Sequence, residues 1–105
     1  MGEIQELQKL IENFAKERDW EKYHTAKNLV LALGSEVGEL QSEFRWIDEN
    51  ELLTKEKLEK IKHEIADVGI FLFRLCDILK IDLNKAILEK INFNSLRQLD
   101  GPDLK

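Results

Sequence analysis

The chain has 105 residues, 43% of them hydrophobic and 35% charged, with 21 acidic against 16 basic side chains and a formal charge of −5. That length allows one domain with a modest core, and the acidity excludes a binder of nucleic-acid phosphate backbones. Five glycines and one proline leave too little punctuation for an all-β fold built on many turns.

In chain order, Ile4, Leu7, Ile11 and Phe14 step by three or four and predict a first amphipathic helix over 3–18. The segment 19–24 is aromatic and irregular. Thr25 then offers a hydroxyl to cap a second helix. Its stripe of Leu29, Leu33, Val37, Leu40, Phe44 and Ile47 predicts a length of about 23 residues, or ~34 Å. A polar loop at 48–53 leads to Thr54, the next predicted cap, and Leu58, Ile61, Ile65, Val68, Leu72, Leu75 and Leu79 carry a third helix. The fourth is predicted from Asp82 through Leu83, Ile87 and Ile91 towards Leu96, with Gly101 and Pro102 ending regular structure. The expected class is all-α, as a single domain over 1–105 with no internal repeat and no linker. No apolar run approaches the ~20 residues that span a bilayer. With no signal peptide expected and a lone Cys76 read as a buried thiol, the expectation is a soluble cytoplasmic protein without disulfides or a membrane partner.

Two features of these helices ask for neighbours. From 68 to 73 every residue of the third helix is apolar or glycine, around its whole circumference. A central helix of one bundle and a second subunit on the far side are both open readings. Gly34 and Gly38 lie one turn apart inside the second helix, where each costs about 1 kcal/mol relative to alanine. The expected reason is the close approach of another helix or a ligand.

The strongest chemical signal is Glu36-x-x-Glu39 on the second helix with Glu64-x-x-Asp67 on the third. Spacing of i, i+3 sets both carboxylates of a pair on one helix face, and each pair borders its apolar stripe. Antiparallel helices joined at 48–53 would bring all four acids together. Like charges ~5 Å apart at a dielectric of about 20 repel by ~3 kcal/mol per pair, so a partly buried group of four needs a cation. All-oxygen ligands select a hard ion, and Mg²⁺ fits best when phosphates complete its shell. A solvated acidic face is the competing reading, and it makes the protein a helical interaction module. A di-iron bundle would need Glu-x-x-His on two helices, and Glu21-x-x-His24 is the single instance. His63 directly precedes Glu64, so it points about 100° away from it and is read as a surface histidine. No glycine-rich phosphate loop is present, so any phosphate would be handled through metal.

The stretch from Glu17-Arg18-Asp19-Trp20 through His24, Lys27-Asn28-Leu29, Ser35-Glu36-Val37-Gly38-Glu39-Leu40 and Phe44-Arg45-Trp46 resembles the MazG-type all-α nucleoside triphosphate pyrophosphohydrolases, closest to their dCTP pyrophosphatase branch. Glu64-Ile65-Ala66-Asp67-Val68 is similar to that family's second metal motif, and Lys90 and Asn94 fall where it places a lysine and an asparagine near the phosphates. The resemblance covers the chain from about Leu10 to Asn94. It implies a four-helix MazG-like bundle assembled as a homodimer or homotetramer, and hydrolysis of a nucleoside triphosphate between the α and β phosphates. It also implies Mg²⁺, with Mn²⁺ as a substitute, held by Glu36, Glu39, Glu64 and Asp67. Trp20, His24 and Trp46 would surround the base, since an indole gives a flat stacking face and histidine a hydrogen-bonding edge. Ordinary core packing stays open for both tryptophans.

Two departures bear on base and sugar discrimination: Phe71 stands where the branch often has tyrosine, and Ile11 where it tends to have histidine. The sequence ends soon after Asn94, so no longer tail is expected to close over the site. One carboxylate, Glu36 or Glu39, would take the proton of the attacking water. Lys90 and Lys27 would neutralise the outer phosphates, with dCTP or a related pyrimidine nucleotide as the expected substrate.

Overall fold

Side-chain oxygens open three of the helices. The Thr25 hydroxyl accepts the Asn28 N–H at 3.2 Å, the Thr54 hydroxyl accepts that of Lys57 at 3.1 Å, and the Asp82 carboxylate accepts that of Lys85 at 3.0 Å. Each satisfies a backbone donor that the first turn leaves unpaired. A computed structural model describes residues 2–96, and among them the chain is four helices without a strand. They are α1 (Glu3–Glu17), α2 (Ala26–Ser42), α3 (Lys55–Leu79) and α4 (Leu83–Leu96). The expected stop at Gly101 and Pro102 lies outside the described residues.

Helix α2 ends earlier than its apolar stripe predicts. The Ser42 hydroxyl donates to the Gly38 carbonyl at 3.1 Å, and the Glu43 N–H is shared between the carbonyls of Glu39 and Leu40. From there the bonds reach back three residues, Phe44 to Gln41, Arg45 to Ser42 and Ile47 to Phe44. This tightening keeps 43–47 turning on a three-residue step, which explains why Phe44 and Ile47 look like a helical continuation. Helix α1 closes through Asp19, whose φ of 57° turns the chain so that the Trp20 N–H reaches the Ala15 carbonyl at 3.0 Å. Aspartate tolerates that left-handed conformation better than most residues.

Helix α3 is the hub, with α2 and α1 packed against it. Ala15, Leu29, Ile61 and Cys76 are buried, and burial pushes the Cys76 thiol up from its ordinary range. The predicted stripes are otherwise far from covered. Leu7, Leu58 and Ile65 are exposed, Val68 to Phe73 are half-buried, and α4 has no buried residue. The expected close approach at Gly34 and Gly38 is not made within the protomer, since a Cβ at either would meet nothing within 4 Å. The chain exposes 8475 Å², against ~6,100 Å² for a folded monomer of its mass. Its radius of gyration is 16.6 Å, against ~13 Å for a compact chain of this length. Among the described residues no helix is long and apolar enough to cross a membrane.

Candidate functional site

The α2–α3 pairing brings acids of both helices together. Glu36, Glu64 and Asp67 each offer a carboxylate oxygen, and these atoms lie within 4.8 Å of one another. Glu39, one turn along α2, stands outside that trio and shares a hydrogen bond with the Glu36 side chain. That hydrogen bond, then burial, then the charges of Glu39, Asp67 and Glu64 push the Glu36 carboxyl up to about 7. Burial also raises Glu64, with the charges of Glu39, Asp67 and Glu43 adding to it and His63 opposing. Two carboxylates in one site cannot both ionise freely, so the cluster holds protons that a cation would displace.

One Glu64 oxygen, Oε2, is shielded from solvent with no hydrogen-bond partner among the described residues. An orphaned buried carboxylate oxygen in an all-oxygen donor set fits a divalent cation. Sequence reading missed Glu43 and Lys57, which form an ion pair of 3.1 Å across the same helix pair. The signal was present: Glu43 is one turn beyond Glu39, on the acid face. His63 is exposed, 3.7 Å from Glu59, as expected of a surface histidine.

A second constellation lies where the segment after α1 meets α3. The N–H groups of Tyr23 and His24 bond to the Trp20 carbonyl, so this stretch forms one helical turn and sets Trp20 and His24 on one side. The Trp20 ring meets Phe14 edge-on at 5.3 Å and His24 at 5.5 Å, and His24 lies 6.3 Å from Phe71. Trp20 therefore packs against α1 and is half-buried. The His24 Nδ1 accepts from Arg74 Nε at 3.1 Å. Burial, and then the Arg74 charge, lower the His24 pKa.

The remaining sequence-predicted residues stand apart from these two groups. Trp46, in the turn after α2, is 86% exposed and makes no ring contact with Trp20 or His24. Lys27 is exposed on the first turn of α2, and the Asn28 amide donates to the Tyr23 carbonyl, tying the aromatic turn to that helix. Lys90 stands over Phe93 of its own helix at 4.8 Å, with Asn94 half-buried beyond it. Neither Lys27 nor Lys90 is among the charges acting on Glu36 or Glu64.

No protein-family model matches the sequence. It is 36% identical over 98 residues to dCTP pyrophosphatase 1 of Homo sapiens, a match covering 90% of this chain and 58% of that protein. The Bos taurus and Mus musculus proteins of the same name are 35% identical over the same coverage. The chain thus spans a little over half the length of the curated relatives it matches. A crystal structure of a pyrophosphatase from Archaeoglobus fulgidus is similar with a TM-score of 0.77 and 32% identity, covering 95% of each chain.

Proposed function

The chain belongs to the MazG-type all-α nucleoside triphosphate pyrophosphohydrolase family, and we propose that it hydrolyses a nucleoside triphosphate between the α and β phosphates to monophosphate and pyrophosphate. The observation that carries this reading is the convergence of three carboxylate oxygens within 4.8 Å, one residue of which keeps a buried oxygen unpartnered. In this reading Glu36, Glu64 and Asp67 hold Mg²⁺, for which Mn²⁺ substitutes, with Glu39 completing the set. The bound ion supplies charge relief at the phosphate oxygens and a more acidic water. Glu39, outside the oxygen trio and hydrogen-bonded to Glu36, is the carboxylate we assign to take the proton of the attacking water.

Trp20, His24 and Phe71 form one wall for the base and Trp46 another, with a pyrimidine deoxynucleotide, dCTP first, as the substrate. Lys27 and Lys90 neutralise the outer phosphates, Asn94 hydrogen-bonds them, and Asn28 holds the aromatic turn in place. The protein works as a homodimer or homotetramer of one domain over 1–105. The many large apolar side chains that α1, α3 and α4 leave exposed support a second subunit on that surface. A cytoplasmic setting suits its single, buried thiol.

The deciding experiment is release of pyrophosphate from a panel of deoxynucleoside and nucleoside triphosphates, with Mg²⁺ and with chelator. Metal-dependent turnover, greatest on dCTP, is expected. No turnover on any nucleotide would leave a helical interaction module with a solvated acidic face.

A further inference from the structure

Among the described residues Arg74 is the one charged side chain that is fully buried, 2% exposed, and nothing in the acid cluster uses it. Its Nη1 pairs with Asp77 Oδ2 at 2.8 Å, one turn along α3, and its Nε donates to His24 Nδ1 at 3.1 Å. Its Nη2 is buried with no hydrogen-bond partner among the described residues. A buried guanidinium with an idle donor is a poor stabiliser, because desolvation offsets the gain from its ion pair. Packing alone is therefore a weak account of an arginine here.

The chemistry of its contact is more specific. A guanidinium has donors and no acceptor. The histidine nitrogen facing it must carry the lone pair, so the ring proton sits on Nε2. The same positive charge disfavours an imidazolium, and Trp20 and Phe71 flank the ring.

We propose that Arg74 is a positioning residue for nucleotide recognition: clamped by Asp77, it locks His24 as the neutral Nε2–H tautomer between Trp20 and Phe71, presenting a fixed donor that selects a base with an acceptor edge. This rests on the pyrophosphohydrolase reading and deepens it. A pyrimidine with an unprotonated N3, the cytosine class, satisfies such a donor. One that carries N3–H, the thymine or uracil class, opposes donor to donor. Without Arg74 the imidazole is free to exchange tautomers and accept as readily as it donates.

The test has two arms. Long-range ¹H–¹⁵N spectra of the metal-free parent, with His63→Gln to assign the second of the chain's two histidines, report the tautomer directly. The expected signature is an unprotonated Nδ1 and a protonated Nε2. In the second arm, the ratio of kcat/KM for dCTP over dTTP is measured for the parent, Arg74→Met and Arg74→Lys. Arg74→Met should lower the ratio about fivefold to tenfold, through KM, with kcat for dCTP within about twofold of the parent. Arg74→Lys, which keeps a cationic donor, should recover part of it. If Arg74→Met does not fold, Asp77→Asn loosens the clamp from its half-buried end and should lower the ratio in the same direction. A protonated Nδ1 in the parent, or an unchanged ratio in a folded variant, overturns the proposal. A parent that turns over no nucleotide instead overturns the functional reading and base selection with it, while the spectrum still decides the Arg74–His24 lock.

Discussion

Along the seam between α2 and α3, the groups that matter lie one turn apart on two neighbouring helices, and their oxygens converge within 4.8 Å. Across α1, the outer side of α3 and α4 the apolar residues are as regular, yet Leu10, Ile87, Ile91 and Phe93 face solvent. Both regions are incomplete in a single chain, and they lack different things. Repelling carboxylates ask for an ion, which is small and available from solution. An uncovered apolar surface would be met by a protein surface of matching size, and open grooves of about 380 and 370 Å³ lie beside Ile70. The grooves are lined by Leu10, Ile11 and Phe14 on one side and by Leu7, Gly69 and Phe73 on the other.

The sharpest way to break the seam is to neutralise one acid while keeping its shape. Asp67→Asn and Glu64→Gln should each lower pyrophosphate release by ~10²-fold or more, the scale of losing charge stabilisation at a reacting phosphate. In chelator the same variants should melt no lower than the parent, because like-charge repulsion falls. Added Mg²⁺ should raise the parent's Tm and do less for either variant, since an ion that binds only the folded state stabilises by mass action. Full activity in both would sink the metal-site reading.

The apolar side is tested by assembly. The parent should sediment as a dimer or tetramer at micromolar concentration. Phe73→Asp, which sets an unpaired charge beside one of the grooves, should shift it to monomer at a cost of several kcal/mol. A folded parent monomer would show that the open surface is covered in some other way.

Smaller effects separate the two tryptophans. Among the described residues Trp46 touches no other ring, and it is 86% exposed, so Trp46→Ala should leave the fold intact and raise KM ~10-fold to 100-fold through lost stacking. Trp20 packs on Phe14 and His24, so Trp20→Ala should lower Tm as well as raise KM. An unchanged KM in Trp46→Ala would remove that residue from the base wall.

What could be read from the sequence follows the same division. The caps at Thr25 and Thr54 and the acid pairs are local patterns, and local spacing reports helix faces directly. The early end of α2 was hidden because a three-residue step satisfies the same stripe as a helical turn. The contact of His24 with Arg74 spans 50 residues, and no periodicity reports a pairing at that range. Periodicity also says which residues seek cover and not what covers them. The stripes of α1, α3 and α4 were therefore legible, whereas their exposure in one chain was not.

The smallest predicted effect isolates the acid cluster from everything else. In the metal-free protein Glu36 titrates at about 7, whereas in the unfolded chain it titrates near 4.5, and Glu64 is raised in the same direction. A carboxyl with a raised folded pKa holds its proton in the native state after the unfolded state has lost it. Its stabilising contribution is complete at acid pH and is lost as pH climbs through about 7. His24 acts oppositely, because its folded pKa is lowered, so its contribution is lost as pH falls below about 6.5. That opposing contribution fades over the pH unit above it, whereas Glu36 goes on losing its proton through about 7. In chelator, Tm should therefore fall between about pH 6.5 and 8. With Mg²⁺ the slope should flatten or reverse, because the ion binds the ionised carboxylates that the rising pH creates. Glu39→Gln removes the nearest charge acting on Glu36 and should flatten the slope in chelator as well. A Tm that stays level across this window in the parent would mean that Glu36 and Glu64 titrate as separate, solvated groups.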